Sequence, residues 1–135
     1  MREYKFRGKD LKGEWRYGFL FYDYDCTDKY SPFINWKDEK YLGGIGEEEV
    51  EEETLGQFTG LKDKNSKEIY EGDVLQIDID RAYVKWNDKY GYFQLIPIGD
   101  YYFDSDVIGE ALEYLEGEII GNIYDNKELL GGQVV

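Results

Sequence analysis

Residues 54–75 read Thr-Leu-Gly-Gln-Phe-Thr-Gly-Leu-Lys-Asp-Lys-Asn-Ser-Lys-Glu-Ile-Tyr-Glu-Gly-Asp-Val-Leu. The stretch predicts a strand over Leu55–Thr59, a polar turn, a second strand at Ile69-Tyr70 and a glycine corner. Lys62–Lys67 carries the turn, because Asn and Asp tolerate left-handed backbone and their side chains bond nearby N–H groups. Gly72-Asp73 supplies a φ > 0 corner that leads into Val74–Ile77. No nucleophile or partnered general base lies in this stretch. Its content is architectural.

Working outward, the same pattern recurs. Tyr4 and Phe6 alternate with Glu3, Lys5 and Arg7, a short strand, and Gly8–Gly13 is a turn. Phe6-x-Gly8-Lys9-Asp10 … Glu14-Trp15 echoes Phe58-x-Gly60-x-Lys62-Asp63 … Glu68-Ile69, so two similar hairpins are expected. Trp15, Tyr17, Phe19 and Phe21 fall at a period of two, and this aromatic face is expected to pack into the core. A further strand is expected over Pro32–Trp36, closed by the turn Lys37–Lys40. Downstream, Val74-Leu75, Val84–Trp86 and Tyr92–Leu95 make a three-stranded meander, its second turn at Asn87–Gly91. One helix is expected near 105–116. Asp104 or Ser105 would cap it, Val107, Ile108, Ala111, Leu112 and Leu115 would form its apolar face, and Gly117 would close it in the left-handed conformation. Ile119–Tyr124 returns to extended chain, and 127–135 is a tail or an arm for another subunit. The fold class is therefore mainly β, a β-rich α+β chain. Its antiparallel hairpins and meander are expected to form a small barrel-like, SH3-like sheet as one domain over 1–135.

Three blocks resemble one family. Thr54–Asp63 with Ser66–Asp73, the latter similar to a Gly-Lys-Glu-Ile-Tyr-Glu-Gly-Asp phrase, looks like the signature of YopX proteins. The opening Tyr4–Asp10 is similar to that family's start, with Gly8-Lys9 where Ala-Trp is usual. Ile119–Leu130 resembles its closing phrase, with Lys127 in place of Pro. The resemblance implies a small protein of the kind carried by bacteriophages and prophages. It implies no reaction and no catalytic residues.

Composition bounds the function. The chain has 135 residues, and its 18% aromatic content, led by 14 Tyr and 7 Phe, favours pleated surfaces. A net charge of −14 opposes binding to phosphate backbones and anionic membranes, so nucleic acid and membrane are excluded as direct partners. Basic proteins are the favoured partners. With one cysteine, no intrachain disulfide can form. The start Met1–Lys5 lacks the apolar run of a signal peptide, and a cytoplasmic protein is expected.

Histidine is absent, which removes the Ser–His–Asp and Cys–His arrangements. Zinc would be left with carboxylates and Cys26, and no cofactor or metal is expected. Asp23 and Asp25 match the first two ligand spacings of a calcium loop, but Asp28 and Ile34 stand where Gly and Glu are needed. Tyr41–Gly46 is glycine-rich, yet the glutamates that follow would repel a phosphate. Glu47, Glu48, Glu49, Glu51, Glu52 and Glu53 form an acidic stretch within a loop of about 43–53, read as a solvated loop or strand edge. They are also the candidate docking patch for a basic partner. The reading that results is a non-enzymatic accessory protein acting through protein–protein contact. The alternatives are an acidic DNA mimic directed at a host DNA-binding protein and a carboxylate-based hydrolase with two acids in an aromatic-walled cleft.

Overall fold

The computed structural model describes residues 3–24, 29–40, 43–100, 106–114 and 116–135, the side chains of 113 and 114 excepted. Ten strands and one helix follow one another as β1 (Phe6–Lys9), β2 (Trp15–Tyr24), β3 (Tyr30–Asp38), β4 (Gly44–Glu49), β5 (Gly56–Lys62), β6 (Glu68–Tyr70), β7 (Asp73–Ile77), β8 (Asp80–Asn87), β9 (Tyr92–Ile98), α1 (Ile108–Tyr114) and β10 (Gly117–Asn122). All resolved pairings are antiparallel, in two sheets, and the described strands close no barrel. The mainly β, β-rich α+β expectation holds, in two open sheets in which β4 and β9 are outer strands. The chain divides into two compact units, residues 1–58 and 59–135.

In the first unit the strand order is β4-β3-β2-β1-β5, with β5 running on into the second unit. β2 is long enough to pair with two neighbours in turn. Trp15–Gly18 faces β1 and Phe19–Tyr24 faces β3. The changeover falls at Gly18, where a Cβ would strike the Asn35 carbonyl oxygen. Past β4, Val50 donates to the Pro32 carbonyl at 3.0 Å and forms an isolated bridge with Asp10. Ile34, Pro32, Val50 and Phe58 are buried.

The aromatic face of β2 is not sealed. Tyr17 and Phe19 are 48% and 64% exposed, while Trp15 and Phe21 are half-buried. On the opposite face half-buried Leu20 lies across from fully buried Ile34, and Tyr22, 46% exposed, lies across from buried Pro32. A period of two shows that a strand has two unlike faces; it does not say which one acquires a cover.

In the second unit the meander forms as expected, β7-β8-β9, with β10 added beside β7. Both faces of this sheet are covered. On one lie Leu75, Ile77, Ala82, Val84 and Leu95, packed with Ile69 from β6 and Ile108 and Ala111 from α1. Each such side chain contributes roughly 1.5–3 kcal/mol on burial. On the other lie Val74 and Tyr83, under Leu130. The 3-10 turn Lys127–Leu130 that carries Leu130 shows that the expected tail packs on its own unit, although Val134 beyond it is 92% exposed.

The helix is shorter than expected, Ile108–Tyr114. Its cap candidates Asp104 and Ser105, and Leu115, lie outside the described residues. Gly117 does not close it in the left-handed region; it opens β10, and a Cβ there would meet Leu112 at 3.0 Å. Pro97 sits within β9 rather than ending it, as an outer strand permits. The Asn87–Gly91 turn is held by Asn87 Oδ1, which accepts from Lys89 and Tyr90 N–H at 3.0 and 2.9 Å.

The hairpin echo is structural. Asp10 Oδ1 accepts from the N–H groups two and four residues on, Lys12 and Glu14, both at 2.9 Å. Asp63 Oδ1 does the same with Asn65 and Lys67 at 2.8 and 2.9 Å. The third residue after each aspartate is left-handed, Gly13 at φ 87° and Ser66 at φ 65°. A left-handed L residue is strained by roughly 1–2 kcal/mol, whereas glycine is not. Ser66→Gly is therefore expected to be stabilising by up to about 1 kcal/mol once glycine's greater unfolded-state entropy is offset, read as a raised urea midpoint at constant slope. A lowered midpoint would mean that the Ser66 side chain holds the turn.

Candidate functional site

Val50 splits the acidic stretch into two pieces. Glu47–Glu49 belong to β4, and Glu51–Glu53 lead into the 3-10 turn Glu52–Thr54. The expected loop of 43–53 is thus strand and turn, in agreement with its reading as a strand edge. The division has a simple cause. Val50 is 2% exposed against Gly8, and Thr54 is buried with its Oγ1 accepting from Lys9 N–H at 2.9 Å. These two anchors leave the glutamates between and before them no inward direction. Glu47, Glu48, Glu51, Glu52 and Glu53 are exposed and Glu49 half-buried. Among the described residues none of the six has an ion-pair partner, so their mutual repulsion is relieved only by water and salt.

The sheet register sets what stands beside them. Asn35 pairs with Phe19 on one side and Glu47 on the other, and Phe33 pairs with Phe21 and Glu49. Directly opposed residues share a face. Two rows therefore cross the sheet, Phe19–Asn35–Glu47 and Phe21–Phe33–Glu49. The Phe21 and Phe33 rings stack at 5.4 Å. Trp15 on the same strand is capped by cations of its own unit, Arg7 at 4.7 Å and Lys9 at 5.8 Å from the ring. Phe19 has no such cover among the described residues. The sequence favours the core for these aromatic residues over an exposed stacking platform, and the structure leaves Tyr17 and Phe19 exposed. The available signal was the acidic stretch soon after them, which fits a strand bordering a wet face better than a core.

On the opposite side of this sheet Asp10 is 2% exposed. Its Oδ2 holds Arg16 Nε at 3.0 Å, and Arg16 lies over the Trp36 ring at 4.9 Å. The Glu14 N–H bond is the largest influence holding the Asp10 carboxyl below its ordinary value, with Arg16 and Lys12 assisting against partial burial. Asp63 is the counterpart in the second unit. Burial pushes its carboxyl up, but the N–H groups of Ile119, Lys67 and Asn65 outweigh that and hold it below the usual range. Both aspartates are structural ties.

Two grooves lie in the second unit. One, of about 700 Å³, is lined by Gln76, Ile79–Arg81, Ile98, Gly99 and Glu128–Gln133. The other, of about 280 Å³, is lined by Lys64, Gln76, Asp78, Glu116 and Glu118, among others. Neither has an aromatic wall, so neither matches the cleft that the hydrolase alternative requires. Asp106 is engaged with Tyr92 Oη and Gln94 Nε2, each at 3.2 Å, and burial together with Asp106 raises the Tyr92 phenol. Among the described residues no group of three or more Cys, Asp or Glu is arranged to hold a metal ion. Asp23 is exposed near the end of β2, and Asp25, Cys26 and Asp28 lie outside the described residues. No described helix is long and apolar enough to cross a membrane.

A family model described as YopX protein matches residues 5–131. The fold is similar to that of protein EF1440 from Enterococcus faecalis, at 25% identity and a TM-score of 0.60, covering 96% of this chain and 99% of that one. No curated protein matches.

Proposed function

The chain belongs to the YopX family, and from that premise we propose that it is a non-enzymatic phage-type accessory protein that works by binding another protein. The supporting observation is the set of six glutamates, Glu47–Glu49 and Glu51–Glu53, five of them exposed and Glu49 half-buried, on an outer strand and its adjoining turn, with no ion-pair partner among the described residues. A negative potential concentrated on one edge of a chain with net charge −14 attracts basic surfaces and speeds encounter with them. The partner is a basic protein of the bacterial host, met in the cytoplasm. Nucleic acid itself is repelled by the same charge.

The test is capture from a bacterial lysate with the wild-type chain and with a variant carrying Glu→Gln at all six positions. The expected result is a specific band that weakens as salt rises through physiological ionic strength, where screening sets in over about 8–10 Å, and that the glutamine variant fails to retain. A band held equally by both proteins would refute the acidic-patch reading. Competition by duplex DNA for the captured protein would replace it with the DNA-mimic reading, in which these carboxylates stand in for phosphates.

A further inference from the structure

We infer that the groove of about 700 Å³ in the second unit binds a small zwitterion of the free-peptide class, about two or three residues long with aliphatic side chains. This goes beyond the protein-binding reading and does not depend on the acidic stretch, which belongs to the other unit. Two glutamines fix the walls of the groove. Gln76 spends both ends of its amide on the β7–β8 turn. Its Nε2 donates to the Asp78 and Asp80 carbonyls at 2.8 and 3.1 Å, and its Oε1 accepts from Arg81 Nε at 3.2 Å. Gln133 does the same for the C-terminal wall, its Nε2 donating to the Pro97 carbonyl at 2.9 Å and its Oε1 accepting from Gly99 N–H at 3.3 Å. Between the walls runs the cross-strand row Gln76–Arg81–Ile98. Walls tied before a ligand arrives lose little further freedom when it binds.

The groove holds one charge of each sign. Arg81 brings the cation, and its Nη groups have no partner among the described residues. Glu128 brings the anion, engaged among the described residues only through Oε1, which accepts from Asn126 Nδ2 at 3.4 Å. The two do not pair with each other. Asp80 also borders the groove, but it stands opposite Ile77 and shares that residue's face of the sheet, so its carboxylate points away. A guanidinium takes a carboxylate through two parallel hydrogen bonds, and Glu128 takes an ammonium. A phosphate or dicarboxylate would satisfy Arg81 and be repelled by Glu128, whereas a zwitterion satisfies both.

The remaining lining fits a peptide's body. Ile79, Ile98 and Leu129 give apolar surface, and Ile79 stands 86% exposed. Gly131 and Gly132 present bare backbone, with open space where side chains would stand, so a peptide backbone can approach theirs closely. The volume lies within the roughly 300–1,000 Å³ of sites for drug-sized ligands, and a single amino acid would fill little of it.

The probe is leucyl-leucine, titrated into isotope-labelled protein and followed by two-dimensional amide NMR. Its N-acetylated form, which keeps only the carboxylate, and its C-terminal amide, which keeps only the ammonium, are the controls. The free dipeptide is expected to shift amides of residues 76, 79–81, 98–99 and 128–133, with a dissociation constant on the order of 0.1–1 mM. Each blocked form should bind roughly tenfold more weakly, the loss of one charge-assisted contact. Arg81→Gln should weaken the free dipeptide by roughly tenfold and leave the amide form within about twofold. Glu128→Gln should weaken the free dipeptide and spare the acetylated form. Both residues are exposed, so both variants should keep the wild-type spectrum away from the groove. An acetylated dipeptide that binds as tightly as the free one would reduce the ligand to a plain carboxylate and overturn the zwitterion assignment. Full affinity in both variants, shifts that map to other residues, or no shift at millimolar dipeptide would overturn the site. Lysate capture by the glutamates of the first unit is read separately, so failure here and failure of the protein-binding reading are told apart.

Discussion

Asp63→Ala is expected to destabilise the second unit by roughly 2–4 kcal/mol, seen as a lower urea midpoint. The estimate follows from what the carboxylate holds. Asp63 is 7% exposed and accepts from Asn65, Lys67 and Ile119 N–H at 2.8, 2.9 and 3.0 Å. Removing it strands three donors, two in its own turn and one on β10, and an unmade bond to a buried donor costs about 1–3 kcal/mol. Asp63→Asn should fall between wild type and alanine. Its carbonyl can still serve the turn, but its NH2 confronts the Ile119 N–H. The carboxyl also gives the stability a pH signature. Its folded pKa lies below the ordinary 3.8, so its stabilisation is present above that value and is lost as pH falls through the lowered one. The wild-type midpoint should drop below about pH 4, and Asp63→Asn should show a shallower drop. Asp10 acts in the same direction, so the slope is reduced rather than abolished. An unchanged acid slope in Asp63→Asn would contradict the tie.

Gly72→Ala carries the second large expected effect, a loss of roughly 2–3 kcal/mol, read as a lower urea midpoint. Gly72 has φ 93°, a conformation that costs an L residue roughly 1–2 kcal/mol. A Cβ there would also stand 2.9 Å from the Tyr124 ring. The position cannot simply shift, because Gly72 N–H donates to the Val84 carbonyl at 2.8 Å and its own carbonyl receives Ile123 N–H at 2.9 Å. Tyr124→Ala in the Gly72→Ala background should recover only the part due to the ring. Complete recovery would show that backbone strain at Gly72 is negligible.

Gly72 and Asp63 also show why the fold was legible in the sequence. A glycine before an aspartate, an aspartate at the head of a polar turn and Asn87 before Gly91 are local instructions, written within four or five residues. Each produced the turn expected of it. The meander followed from the alternation Leu75, Ile77, Ile79, of which Leu75 and Ile77 enter the core while Ile79 falls in the turn after β7 and is 86% exposed. The candidate site lay deeper. Whether Phe19 or Leu20 points to water is decided by what lies over each face, a long-range fact absent from the strand's own pattern. Gly117 misled for a related reason. It stands where a helix ends, yet it is not left-handed, and Leu112, five residues earlier, packs so near that a Cβ at Gly117 would crowd its Cδ2 at 3.0 Å. The acidic stretch was visible, but its division by Val50 was not, since a single valine among glutamates carries no periodicity.

The glutamates on β4 have one more effect, which concerns the chain in the company of its own copies. An outer strand is a template for runaway sheet growth. Glu47–Glu49 place charge along that rim, the arrangement by which natural sheets keep neighbours from adding on indefinitely. Replacing these glutamates by valine would lift that guard, and insoluble fibrous material would then compete with folding as the fate of the protein.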